Sequence, residues 1–378
     1  MSITVCLATK SLYSPDAGGH CWVYLNWALG LRAIGCRVIW LESVIPTEPI
    51  EAVLTRVVSL KNRLARYGFA DSVALCSSTN EPLPLTLSEH CLPLEAARDA
   101  DLLLNLGPVS RTYGLPDDLV KCVRRSAMLD IDPGLTQIWM SQGQIRVPPH
   151  DVYFTVGETV GQPAALFPDC GLTWHYTPPA VFLPAWPPMP ADSAAAYTTV
   201  TNWWGEWIVF RGQTYGNRKR DGFFPYLDVP RYATVPLELA ISYVEPDLAM
   251  LQERGWRVAD ALIVAETPWA YQRYIQASRG EFSCAKPSCV RLQNAWISDR
   301  TLCYLASGKP AVVQHTGQSR FLPDAEGLFR FRGVAEAVQH LEALATCYDR
   351  HAKLARALAE EYFDAKKVVS SVLERALA

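Results

Sequence analysis

The chain is 378 residues long, 49% hydrophobic and 19% charged, with a net charge of −3. These values describe a globular protein rather than a disordered one, and the length favours two domains over one oversized core. With no basic surplus, a nucleic-acid-binding surface is not expected. The 11 cysteines are scattered without a CxxC or regular spacing, so reduced thiols in a cytoplasmic protein are expected. The N-terminus runs straight into a strand with no signal-peptide pattern, and no apolar run approaches the ~20 residues of a membrane span. The 12 Trp and 16 Tyr residues suit a sugar pocket, although core filling is the plainer account of so many rings.

Residues 3–8 (ITVCLA) predict a buried strand. A long loop, KSLYSPDAGGH, leads to a helix, CWVYLNWALGLRAIG, that stops at Gly35, and CRVIWLES is the next strand. This is the opening unit of a doubly wound α/β sheet. The loop lacks G-x-G-x-x-G, so a nicotinamide or flavin cofactor is not expected. Gly18 and Gly19 at the helix start would let a ligand approach the backbone, and His20 is the first side chain on that helix. Helical periodicity covers 51–67, and a polar stretch follows near 77–90. Strands are predicted at 100–106, 125–131 and 152–156, with an exit loop at 107–114 and the turn Asp130-Ile131-Asp132-Pro133-Gly134. Such apolar runs, ended by Gly and Asp, fit parallel strands whose carboxyl ends face a crevice.

The proline-dense stretch PPAVFLPAWPPMP (178–190) has neither a helical nor a strand period and marks a semi-rigid linker. Beyond it, WIVFR (207–211) predicts the first strand of a second α/β unit, followed by a basic loop, GQTYGNRKRDG (212–222). Residues 235–243 and 247–255 predict helices, 257–265 a strand, 268–277 a helix and 282–285 a strand. Lys286 follows that last strand directly, where parallel strands point at a crevice. The stretch SDRTLCYLASGKPAVVQHTG (298–317) reads as a helix capped by Ser298, with Asp299 in its first turn and Gly308 and Pro310 at its end. A strand (311–314) and the loop His315-Thr316-Gly317 follow. A helix start beside a strand end and a Gly loop gathers free N–H groups, a place for a phosphate-bearing ligand. A short strand at 327–331 and a helical tail from Val334, broken near Asp349 and Asp364, complete the chain.

Two similar α/β domains, a proline-rich linker and a helical tail resemble the GT-B glycosyltransferases. The GGH loop, the step ASGKPAVV and GLFRF followed by a helix are similar to that family's first Gly-rich loop, its A-x-G-x-P-V-V donor step and the strand and helix after it. The resemblance implies two Rossmann-like domains facing across a cleft, the last helix crossing back to the first domain. The expected divisions are 1–180 for an acceptor domain, 181–192 for the linker, 193–362 for a donor domain and 363–378 for the returning helix. It also implies sugar transfer from a UDP- or TDP-sugar to a small-molecule hydroxyl, with no cofactor and no metal. The alternatives are a GT-B-like sugar-nucleotide epimerase or phosphorylase, or a non-catalytic two-domain binding protein.

Diphosphate leaving gains charge in the transition state, so cations and backbone donors belong around it. Lys219 with Arg218 or Arg220 resembles the family's Arg/Lys pair, and Lys286 and the Thr316-Gly317 backbone are further candidates, with His315 beside them. Many relatives carry a Glu five residues before the Gly of the donor step. Here that position is Cys303, so Asp299, one turn earlier, is expected to hold the ribose. Arg300 is either an anion ligand or the partner of an acid. His20 resembles the general base of inverting members, and a helix N-terminus would keep its imidazole neutral. Asp130, Asp132 or Asp16 would orient it. Asp130 and Asp132 form a D-x-D, but it lies in the first domain and is not expected to bind metal.

Overall fold

The structure is a computed structural model that describes residues 2–14, 17–79, 81–107 and 114–378, apart from the side chains of Leu85 and Ser88. Asp16 and residues 108–113 of the expected exit loop lie outside the described residues. The chain divides into two compact units. His20–Phe182 and Ala365–Ala378 belong to the first with the N-terminal residues, and Leu183–Asp364 to the second together with Gly18 and Gly19.

The first unit is built on a seven-stranded sheet. Its strands are β1 (Thr4–Thr9), β2 (Arg37–Val44), β3 (Val73–Ser77), β4 (Leu102–Asn105), β5 (Ser126–Asp130), β6 (Val152–Thr155) and β7 (Trp174–Tyr176). Every pairing is parallel, in the order β3-β2-β1-β4-β5-β6-β7. Such strands are covered on both faces, which is why β3, β4 and β5 are buried from end to end. The helix Gly18–Ala33 is apolar almost all round and buries Trp22, Tyr24, Leu25, Trp27 and Leu31. The helix Ile50–Ala65 instead buries one stripe, Val53, Val57, Leu60 and Leu64, at helical spacing. The last helix, Ala365–Leu377, packs into this unit through Val368, Val369, Val372 and Leu373. Its Ala365 N–H donates to the Val181 carbonyl at 2.9 Å, and Arg125 Nε donates to the Ala376 carbonyl at 3.0 Å.

The second unit has a six-stranded parallel sheet in the order β12-β11-β8-β13-β14-β15 and a separate antiparallel hairpin, β9–β10. The strands are β8 (Tyr197–Thr201), β9 (Ile208–Phe210), β10 (Gln213–Tyr215), β11 (Leu237–Ile241), β12 (Arg257–Asp260), β13 (Gly280–Ser283), β14 (Ala311–Gln314) and β15 (Leu328–Phe331). Aromatic rings fill its core. Phe282 and Phe331 stack at 5.4 Å, with Trp203, Phe223 and Trp256 beside them, so much of the Trp content is packing.

Three expectations for this unit need correction. Its first sheet strand is Tyr197–Thr201, while residues 207–211 supply the hairpin. β8 is flanked on both sides by partners, and its Thr198 and Thr199 are buried polar residues that mask the strand's apolar character. Residues 237–241 form a strand rather than a helix; LELAI satisfies either period, and pairing to β8 and β12 decides. Lys219 begins a helix, Lys219–Phe223, rather than lying in a loop. In the first unit, β3 and β7 were not anticipated.

Candidate functional site

In each sheet the strand order reverses once, between β1 and β4 in the first unit and between β8 and β13 in the second. Ligands of open α/β sheets bind at the carboxyl ends of the strands flanking that reversal. Each unit is described in turn.

In the second unit, Lys219 follows β8 on the helix Lys219–Phe223, and Lys286 caps the helix Pro287–Leu292 after β13. The Gly222 backbone approaches β13's exit so closely that a Cβ would stand 2.1 Å from the Ala285 carbonyl oxygen. This contact draws Lys219 onto the strand end. Lys219 is 6% exposed; its Nζ donates to the Cys284 carbonyl at 2.5 Å and lies 5.9 Å from the Trp296 ring. The described residues give it no ion pair. Burial, with Arg300 and Lys286 adding repulsion, pulls its pKa down to about 7. A buried lysine at a strand-order reversal without a counter-charge is a place prepared for an anion.

Arg300 resolves the alternative that the sequence left open. Its Nε donates to Glu281 at 2.8 Å, one terminal nitrogen to Ser283 Oγ at 2.6 Å and the other to the Val200 carbonyl at 3.1 Å. It is the partner of a fully buried acid, with its donors turned into the sheet. Burial alone would lower its pKa, but the Glu281 carboxylate more than offsets this. Arg220 is likewise engaged, bidentate to Asp247 at 2.6 and 2.8 Å. Arg218 lies with its guanidinium 5.0 Å from the Trp207 ring.

Ser298 caps the helix Asp299–Ala306, accepting from the Arg300 N–H at 3.3 Å, and Asp299 is half-buried in the first turn. Cys303 is buried one turn on, and both act electrostatically on Tyr271. The loop after β14 folds onto the turn before this helix. Thr316 Oγ1 donates to the Trp296 carbonyl at 2.6 Å, and the Ala295 N–H donates to the Thr316 carbonyl at 3.1 Å. Gly317, at φ +139°, has room for no side chain: a Cβ would lie 2.8 Å from Ala295 N and Gln293 O. Gln293 and Ala295 are themselves at φ +50° and +54°, strained conformations for side-chain-bearing residues, in a turn touching three of the expected ligand residues. The Gly317 N–H donates to His315 Nδ1 at 3.1 Å, so that N–H is taken internally rather than offered to phosphate. His315 is 8% exposed; burial, then Arg332 and Arg330, lower its pKa and keep it neutral.

Gly18 and Gly19 also differ from expectation. The Gly18 N–H donates to the Ala265 carbonyl at 2.7 Å, a Cβ there would meet the Thr267 carbonyl at 2.2 Å, and one on Gly19 would meet the Tyr271 ring at 2.8 Å. What approaches these glycines is protein, not an open ligand path.

In the first unit, His20 Nε2 lies 3.0 Å from the Lys10 carbonyl, which fixes the proton on Nε2 and leaves Nδ1 as the lone-pair nitrogen. The Tyr24 ring meets it edge-on at 5.0 Å. Burial is the largest influence on His20 and lowers its pKa, the work that the sequence had assigned to the helix end. The carboxylate acting on it most is Glu42, ahead of Asp132. Glu42 is 1% exposed and accepts from Thr9 Oγ1 at 2.6 Å, Trp40 Nε1 at 3.0 Å, the Ser11 N–H at 3.0 Å and the Ser11 hydroxyl. Asp130 is buried at the end of β5 and accepts from Gln137 Nε2 at 2.8 Å, Thr155 Oγ1 at 2.9 Å and the Asp132 N–H at 3.0 Å. That saturation suits a turn-holding role rather than an orienting or metal-binding one. Among the described residues, no three His, Cys, Asp or Glu side chains gather as a metal site would require. A notch of about 30 Å³ lies at the β1/β4 reversal, lined by Thr9, Lys10, Tyr13, Glu42, Ser43 and Asn105 among others.

The second unit thus brings together Lys219, Lys286, Arg300, Ser298, Asp299 and the His315–Gly317 loop around one strand-order reversal, and the first places His20 near Asp132 and Glu42. Glu42 and Glu281 escaped the sequence reading. Their signal was an acid inside a buried strand, CRVIWLES and GEFS, where a charge persists only with dedicated partners.

No protein-family model and no curated protein sequence matches the chain. Solved structures do match its fold. An α-glucosyltransferase in complex with UDP-glucose and DNA aligns with a TM-score of 0.62 at 11% identity over 100% of both chains. HepE of Anabaena in complex with UDP aligns at 0.53, with 12% identity over 99% of each chain. Sucrose-phosphate synthase of Thermosynechococcus elongatus aligns at 0.54, with 10% identity over 99% of this chain and 98% of that one. The fold is that of the GT-B glycosyltransferases. No helix among the described residues is long and apolar enough to cross a membrane.

Proposed function

We propose that the chain is a glycosyltransferase that moves a sugar from a UDP- or TDP-sugar to a hydroxyl of a small-molecule acceptor, without metal or cofactor. The observation that carries this reading is Lys219, a buried cation with no carboxylate partner among the described residues, at the second sheet's strand-order reversal. The full-length likeness to enzymes solved with UDP or UDP-glucose supports it.

In the proposed reaction His20 Nδ1 takes the acceptor hydroxyl proton. The acceptor oxygen forms a bond to the anomeric carbon as the carbon–oxygen bond to the β-phosphate breaks, and that electron pair leaves on the nucleoside diphosphate. Lys219, with Lys286 and Arg218 near it, stabilises the charge that grows there, and this is where stabilisation lowers the barrier. Asp299 holds the ribose hydroxyls. Arg300 acts indirectly, by fixing the strand end on which Lys219 rests. The test is thermal unfolding of the full chain with UDP-glucose and TDP-glucose, paired with an assay for released nucleoside diphosphate. A raised melting temperature with slow donor hydrolysis supports the reading; no shift with any nucleotide sugar ends it.

A further inference from the structure

The notch at the β1/β4 reversal, about 30 Å³, has room for a hydroxyl group or one or two waters but not for the body of an acceptor. A second cavity in the same unit, about 430 Å³, lies at the carboxyl end of the edge strand β3. That is the size of a small-molecule ligand site. The two are adjacent through the backbone. Ser43 lines the first and Cys76 the second, and these residues are partners in the β2–β3 ladder. Gly114 and Leu115 line the first and Pro116 the second, and Ser43 Oγ donates to the Gly114 carbonyl at 2.9 Å, pinning the shared wall.

The lining of the larger cavity is apolar below and acidic at its rim. Leu75, Leu92 and Leu119 supply walls. Among its described lining residues Glu81, Glu95 and Asp118 stand against one cation, Arg98, whose charge is offset by Glu95 at 3.8 Å. Glu81 and Asp118 are left as exposed negative charges. No step of the proposed reaction uses this space.

We propose that the β3 cavity is the subsite for the body of the acceptor, and that it selects an apolar molecule carrying a cationic amino group at the end remote from the accepting hydroxyl. The inference rests on the transferase reading for the word acceptor, while the cavity's ligand preference stands on its lining alone. A leucine-walled space recovers the free energy of burying a hydrocarbon body, and the acidic rim favours an ammonium and disfavours a carboxylate. The hydroxyl end extends along the shared wall into the notch, which Lys10 lines and whose polar groups suit it; the Lys10 carbonyl accepts from His20 Nε2 and so holds that ring beside the notch rather than in its lining.

The test uses the full chain and three linear alkanols of about eight carbons, a length suited to the cavity, unsubstituted at the far end or bearing an amine or a carboxylate there. Binding is followed by calorimetry, with UDP titrated into parallel samples. The amino alkanol is expected to bind roughly tenfold tighter than the carboxylate, the effect of two partly solvated charges. The exposed double substitution Glu81→Lys/Asp118→Lys is expected to reverse the order, and Leu83→Trp, which puts an indole at another residue of the lining, to weaken all three. Equal affinities, or a preference that survives the double substitution, overturn the proposal. UDP binding without alkanol binding overturns the cavity's role and leaves the transferase reading intact. Alkanol binding without UDP binding overturns its assignment to an acceptor.

Discussion

Replacing Arg300 by Met separates a structural role from a ligand role. The guanidinium donates to Glu281 at 2.8 Å, Ser283 Oγ at 2.6 Å and the Val200 carbonyl at 3.1 Å, and Glu281 is 0% exposed. Removing it strands a carboxylate in the core of the second unit, at a cost of about 3–5 kcal/mol. For a unit of this size that lowers the melting temperature by roughly 10 °C. Removing both charges, in Glu281→Leu/Arg300→Met, should restore most of the loss, because a buried pair is often nearly neutral against apolar replacements. The assay is thermal and urea unfolding followed by circular dichroism, with UDP affinity measured on the folded variants. An Arg300→Met protein within about 1 kcal/mol of the parent but much weaker for UDP would refute the argument, because it would show the guanidinium facing ligand rather than Glu281.

Lys219 gives a pH signature with two opposite signs. Its folded pKa of about 7 lies below the ordinary 10.5, so the unfolded chain keeps the proton between those values and stability rises with pH across that window. UDP affinity should fall over the same range as the charged form is lost, and Lys219→Met should flatten both curves; calorimetry at stepped pH checks them together. His20→Ala should lower turnover by about 10²–10⁴-fold and leave UDP affinity within about twofold. Because burial holds the His20 pKa below its usual 6.5, the acid limb of the rate profile should fall below that pH; a limb well above it would refute the assignment. A base acting in one displacement inverts the sugar, so an α-linked donor should give a β-linked product by NMR, and an α-product would remove His20 as base. Asp299→Asn should weaken UDP about tenfold while leaving a ribose-free phosphate probe unaffected; equal losses for both would show a general charge effect.

The frame of the fold was legible because parallel strands are continuous apolar runs. ITVCLA, LLLN and AVV stand out, and the helix expected at 268–277 forms there, with Thr267 Oγ1 capping it by accepting from the Ala270 N–H at 3.2 Å. Strands that depend on tertiary partners were hidden. Tyr197–Thr201 has one tyrosine and three threonines in five residues, and the Thr198 hydroxyl finds its partner far along the chain, at Tyr304, 2.6 Å away. The site divided in the same way. Lys286 and Asp299 could be placed because they adjoin recognisable elements, whereas Lys219 had been put in a loop after a strand that is in fact half of a hairpin. Whether Arg300 faces ligand or Glu281, and whether the Gly317 N–H is free, depends on contacts across tens of residues that no local pattern encodes. His20 was visible as a residue, and so was Asp132, but the carboxylate whose charge acts on it most was not, since Glu42 lies on the next strand.

The central claim is that the second unit binds a nucleoside diphosphate around Lys219. Calorimetric titration of the full chain with UDP tests it most directly, comparing the parent with Lys219→Met at neutral pH. The account predicts micromolar binding, about 8 kcal/mol, weakened at least about tenfold by the substitution while the fold persists. Binding of equal strength in both proteins, or no binding of any nucleoside diphosphate to the parent, would contradict it.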